Sequence, residues 1–223
     1  MDQVEEVEMM NLPRPRWPAH EIAVIGGSWE DDLAIAGGYL RVAEIGATHW
    51  SRHGPDDSLP IPVLYNYRHS VELSLKWLIR TAARIVHRGR YDTGGANLDR
   101  EKVDKKLRED SHSIKKLAER LNTYLGFIKD LDPPNNRIDD ESMKTLRWLD
   151  RQDETGETFR YSMIGRGNDS RPARATQTNI NFYEDINKVH LLAHLLQAGY
   201  SAHLDHFEEL QQEYQEYQEE MSG

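Results

Sequence analysis

The chain has 223 residues, 38% of them hydrophobic and 30% charged, with a formal net charge of −10 and no cysteine. That length can fill one sizeable core, or one domain with an appendage, and the lack of cysteine excludes disulfides and thiolate metal sites. No apolar run approaches a membrane span and the acidic start, MDQVEEVEMM, does not resemble a signal peptide, so a cytoplasmic protein is expected.

In chain order, residues 1–27 read as an irregular lead-in, broken by Pro13, Pro15, Pro18 and the Gly26-Gly27 pair. Ser28 is placed as the N-cap of a first helix, with Asp31 three residues on. Leu33, Ala36, Leu40, Ala43 and Ala47 continue it at helical spacing to about Trp50, and Gly37-Gly38 marks a weak point or a close helix contact. After the loop HGPDDSLPIP, a long helix is expected from near Pro62 to about Arg88. YDTGGANLD breaks the pattern, and Arg100 to Glu109 reads as a short solvated helix. Ile114, Leu117, Leu121, Leu125 and Ile128 define the next helix, and Met143, Leu146 and Leu149 the inner face of a fourth over Ile138 to Leu149. GETFRYS reads as extended, and GRGNDSRPARATQTN as a long polar loop. A last helix starts near Asn181 and reaches about Glu220. Its end carries Phe207, Leu210, Tyr214, Tyr217 and Met221 in a heptad-type seam, fit to pack on its own bundle or on a second copy. The expectation is an all-α bundle of four to five main helices, with one domain over 28–206 and an acidic helical extension over 207–223.

Charge is segregated along the chain. Between Lys76 and Arg120 there are 13 Lys/Arg against 7 Asp/Glu, a local balance of +6 that leaves −16 for the remainder. From His203 to Gly223 there are 7 acidic residues and no Lys or Arg. Such a distribution steers a polyanion to the middle of the chain, or lays an acidic tail on a basic face.

The long helix carries two stripes. At 100° per residue, Leu64, Val71, Leu75, Leu78, Ala82 and Ile85 share one arc. Tyr65, His69, Glu72, Lys76, Arg80 and His87 lie opposite, with Arg84 beside them. The polar stripe reads as a solvated face laced with weak i,i+4 ion pairs. It also reads as a chemical kit: a histidine exchanges protons near neutral pH, and an arginine clamps a phosphate. Together these suffice for RNA cleavage without a metal, because the ribose 2′-OH supplies the nucleophile.

PVLYNYRHSVELSLKWLIR, then DSHSIKKLAERL, then DETGETFRYS resembles the HEPN superfamily, the helical nucleotide-binding and RNase-type domains of prokaryotic defence and toxin systems. The likeness covers roughly Pro62 to Tyr161. It implies an all-α bundle, usually a homodimer or partner subunit, in a phage-defence or toxin–antitoxin setting. The activity it implies is RNA targeting, with metal-independent endoribonuclease chemistry built on an arginine and a histidine four to six residues apart. The other implied classes are a non-catalytic module that binds a nucleotide, nucleic acid or partner protein, and a structural dimerisation subunit. Here the Arg-x6-His spacing occurs as Arg80 to His87, and the matching elements contribute Arg68, His69, Glu72 and Arg160 as further candidate catalytic residues. Lys76, Arg84, Arg88, His112 and Tyr161 are the candidate RNA-binding residues. Arg160 is expected to be structural first, paired with Glu72, Asp150 or Asp153.

No cofactor and no metal is expected. His190 and His194 have a possible metal-ligand spacing, but a third ligand has to come from elsewhere, with Glu184 and Asp205 as candidates, and half-buried or surface histidines are the plainer reading. The three arginines of GRGNDSRPAR suit a phosphate backbone but lack interleaved aromatics for base stacking.

Overall fold

In the computed structural model, the described residues are 25–27, 30–129, 136–165, 169–177 and 179–222. The chain divides into Met1–Glu30 and Asp31–Gly223. Ser28 and most of the lead-in lie outside the described residues. Everything below concerns the second unit, which is all-α.

α1 (Asp32–His53) is capped by Asp31, whose side chain accepts from Ala34 N. α2 (Pro60–Arg88) begins on a proline, whose missing N–H costs nothing in a first turn. α3 (Arg100–Asp110) follows the YDTGGANLD break, and α4 (Ile114–Phe127) is capped by Ser113 through Lys116 N. α5 (Asp140–Gln152) starts two residues later than the apolar pattern suggests. Asp139 caps it through Glu141 N and Ser142 N, while Ile138 and Met143 are both buried in the positions of a hydrophobic staple. After a two-stranded antiparallel hairpin of β1 (Met163–Ile164) and β2 (Arg171–Pro172), the polypeptide enters α6 (Phe182–His194), capped by Asn181. A π-helical segment (Leu195–Tyr200) joins α6 without a break to α7 (Ser201–Ser222).

α2 is the axis of the bundle and touches α1, α3, α4, α6 and α7. Its apolar stripe is wholly buried, as expected: Leu64, Val71, Leu75, Leu78, Ala82 and Ile85 all lie in the core. Each such leucine contributes about 1.5–3 kcal/mol by leaving water. The close approach of α1 to α2 depends on Gly46, not on Gly37-Gly38: a Cβ at Gly46 would lie 2.8 Å from Val63 Cγ2, whereas Gly38 has nothing within 4 Å.

Four expectations are corrected or sharpened. Of the polar stripe of α2 only Glu72 is buried; Tyr65, His69, Lys76 and Arg80 are half-buried and Arg84 and His87 exposed, while the buried polar residues Arg68, Ser70, Ser74 and Thr81 flank the leucine arc. α3 is not simply solvated, since Val103 and Leu107 are buried against the bundle. GETFRYS is not extended: Arg160 N and Tyr161 N both bond back to Glu157 O, making a turn. The C-terminal seam packs on its own bundle only at Phe207; Leu210, Tyr214, Tyr217 and Met221 are exposed. α7 outruns the core that would have covered them.

Candidate functional site

Arg68 is the hub of a buried network that joins all three resembling elements. Its guanidinium donates to Glu72 Oε2 (3.2 Å), to the carbonyl of His112 (2.6 Å) and to the carbonyl of Asp153 (2.8 Å). Glu72 Oε1 accepts from Lys76 Nζ (2.6 Å) and from His112 Nδ1 (3.0 Å). Burial acts to raise the Glu72 pKa, but the charges of Lys76, His112 and Arg68 outweigh it and hold the carboxyl below its ordinary value.

The loops that deliver His112 and Asp153 are themselves built for this. Asp150, at the end of α5, accepts from Ser113 Oγ (3.3 Å) and Lys115 N (3.1 Å), placing a carboxylate at the N-terminus of α4. Asp153 Oδ1 accepts from Thr158 N (2.8 Å) and closes the turn after α5. That turn needs Gly156: its φ is +75°, and a Cβ there would lie 2.8 Å from His112 Cβ.

Beside the network, His69 sits half-buried between two rings, Tyr39 edge-on at 4.3 Å and Tyr65 stacked at 5.8 Å between centroids. Neither of its ring nitrogens has a hydrogen-bond partner among the described residues. Burial lowers its pKa from the ordinary histidine value, against the pull of the Glu72 carboxylate. Arg160 does not make the expected pair with Glu72, Asp150 or Asp153. It is exposed, donates to Gly156 O (2.6 Å) and lies 5.5 Å from the Tyr161 ring centroid. The buried structural arginine is Arg68 instead.

Arg80 and His87 line a second place, a cavity of about 470 Å³ with Ala83, Leu98 and Val103. Arg80 is clamped by Asp32 of α1 and by Asp104 of α3, the latter at 2.8 Å. His87 is largely exposed and lies 3.8 Å from Asp99. Arg84 and Arg88 both pair with Glu208 of α7, at 2.9 and 3.1 Å. Through Glu208 the acidic stretch of α7 lies on the basic face, with Asp205 adding to the field at Arg84.

The candidates therefore fall into three groups. Arg68, His69, Glu72, Lys76 and His112 come together, and Arg80 lines one surface cavity with Lys76 and His112. Arg84, His87 and Arg88 lie farther along α2; Arg160 and Tyr161 lie on the exposed turn after α5. A separate set, Glu44, His190 and His194, offers three donor atoms within 4.8 Å of one another. Tyr39 and Glu44 were not singled out in the sequence, because α1 is read there only through its apolar spacing. The hairpin places Arg171 on the surface. Among the described residues, no helix is long and apolar enough to cross a membrane. Comparison with family models, with characterised proteins and with solved structures finds no match to this chain.

Proposed function

We propose that the chain is an RNA-targeting, HEPN-like protein of a prokaryotic defence or toxin-type system, acting in the cytoplasm, in which His69 moves protons during metal-independent RNA cleavage. The observation that carries this reading is the setting of His69, half-buried between Tyr39 and Tyr65, with neither ring nitrogen hydrogen-bonded among the described residues. Its lowered pKa keeps the imidazole neutral near neutral pH, with the lone pair a general base needs. The ribose 2′-OH is the nucleophile it would activate. The tyrosine rings offer planes on which unpaired bases stack. Arg160 is an exposed guanidinium with no carboxylate partner among the described residues, close enough to Tyr65 to act on it electrostatically, and it is placed to meet a phosphate. Arg68 and Glu72 then hold the loops of His112 and Asp153 against the helix that carries His69, rather than react.

A second reading is a binding module without catalysis. It is supported by the charge pairing along α2, where Lys76, Arg80, Arg84 and Arg88 each already hold a carboxylate. Such compensation weakens the field that would draw in a polyanion. Either reading accommodates a homodimer through the exposed end of α7. The test is expression of the wild type and His69→Ala in the same cells, followed by total RNA. Cut RNA and slowed growth with the wild type alone support cleavage; intact RNA with both supports the binding module.

A further inference from the structure

We infer that Glu44, His190 and His194 form a binding site for a divalent transition-metal ion of the zinc class, with one coordination position open to the neighbouring cavity. The histidines stand one helical turn apart on α6, so both imidazoles project from the same face, their ring centroids 4.4 Å apart. Glu44 reaches them from α1, which packs on α6. Its Oε1 lies 2.8 Å from His194 Nε2 and 3.7 Å from His190 Nδ1. A tetrahedral zinc ion with bonds of about 2.0–2.2 Å holds neighbouring ligand atoms roughly 3.3–3.5 Å apart. The two observed separations bracket that value, so small rotations of the three side chains admit the ion.

The surroundings support the same assignment. The other carboxylate oxygen, Oε2, is taken by Arg41 at 3.2 Å, which fixes the carboxylate and leaves Oε1 for a metal. The hydroxyl of buried Tyr67 lies within hydrogen-bond distance, 3.3 Å, of His190 Nδ1, the same nitrogen that faces Glu44, and holds that ring in place. Metal binding would exchange that hydrogen bond for a coordinate bond. Three protein ligands leave a fourth position vacant in tetrahedral geometry, the arrangement of zinc sites that hold a water or a ligand. Beside it lies a cavity of about 430 Å³ between α1, α2 and α6, lined by Glu44, His190, Tyr67, Phe182, Tyr183 and Asn187. With no cysteine in the chain, nitrogen and oxygen donors are what a zinc-class site here must use.

A control is built into the molecule. His49 and His53 on α1 have the same spacing, with rings stacked at 4.1 Å, yet they are absent from any three-donor group among the described residues. The experiment titrates the full-length, chelator-stripped protein with Zn²⁺ by calorimetry and with Co²⁺ by visible absorbance. The expected result is one equivalent bound, with cobalt bands of a low-coordinate nitrogen–oxygen site. Glu44→Gln and His194→Ala should each weaken binding roughly a hundredfold or more, at or beyond the upper end of what loss of an outer-shell partner costs. His49→Ala should bind as the wild type does. Unchanged far-UV circular dichroism in each variant separates lost ligands from lost fold. The inference is overturned if zinc does not bind, if Glu44→Gln and His194→Ala bind it undiminished, or if His49→Ala abolishes binding.

Discussion

Glu72 Oε1 lies 3.0 Å from His112 Nδ1, although 40 positions separate the two residues in the chain. The contact crosses from the central helix to the loop before α4, and the same Glu72 is held from its own helix by Arg68 and Lys76. A carboxylate with this many cationic neighbours stays ionised in a place where an unpaired charge would be expensive.

Removing Arg68 should therefore cost far more than removing a surface arginine. Arg68→Ala strands the buried Glu72 carboxylate and leaves the carbonyls of His112 and Asp153 without their donor. The expected loss is about 3–5 kcal/mol, against near zero for a surface pair. Arg68→Lys should recover only part of it, because an ammonium cannot reproduce the fork that meets three partners. Chemical denaturation of both variants beside the wild type measures this.

His69 should titrate below its ordinary value of 6.5, because burial disfavours the imidazolium. Glu72 favours protonation, whereas Lys76, His112 and Arg68 oppose it. Between 6.5 and the lower folded value, the unfolded chain takes up a proton that the folded chain refuses. Stability thus falls as pH drops through that window, and above it His69 contributes no pH dependence. Histidine NMR titration gives the midpoint directly, and His69→Phe should remove this part of the acid destabilisation.

The exposed apolar end of α7 should drive self-association. Leu210, Tyr214, Tyr217 and Met221 repeat at three and four residues, the spacing of a helix–helix seam, and all four are exposed among the described residues, although Leu210 and Tyr214 also line a cavity against Arg88 and Tyr91. Light scattering coupled to size-exclusion chromatography should give a dimer for the wild type and a monomer for a Leu210→Glu, Tyr217→Glu double variant. Its unfolding as a monomer should otherwise resemble the wild type, since both positions are exposed. A wild-type monomer at high concentration would contradict the seam.

The apolar architecture was legible because helical periodicity and caps are local. Leu75 and Leu78 and the Asn181 start follow from spacing within one turn or two, whereas the cap of α1 is Asp31 and not Ser28, since both offer an oxygen just ahead of the apolar run. The burial of Arg68 and Glu72 was not, because a helical wheel separates faces without saying how many neighbours surround the helix. α2 has neighbours on several sides, so Arg68, at the margin of the leucine arc, and Glu72 of the polar stripe are drawn into an interior network, while the rest of that stripe stays half-buried or exposed. Arg160 was misplaced for a related reason: the turn fixed by Asp153 and Gly156 sends it outward, and that turn depends on contacts with His112 from another part of the chain. Glu44 lies 150 positions from His194, and no local pattern links two residues so far apart.

The central claim, that His69 moves the proton in RNA cleavage, is tested most directly with a labelled single-stranded RNA and its all-2′-deoxy counterpart. Both are incubated with wild type and with His69→Ala in the presence of a chelator. The account predicts that the wild type cuts the RNA, leaving 2′,3′-cyclic phosphate ends, and spares the deoxy strand. It also predicts that His69→Ala loses at least about 10²-fold in rate, the lower range for removing a general acid or base. Cleavage of both strands, or full activity in His69→Ala, would contradict it.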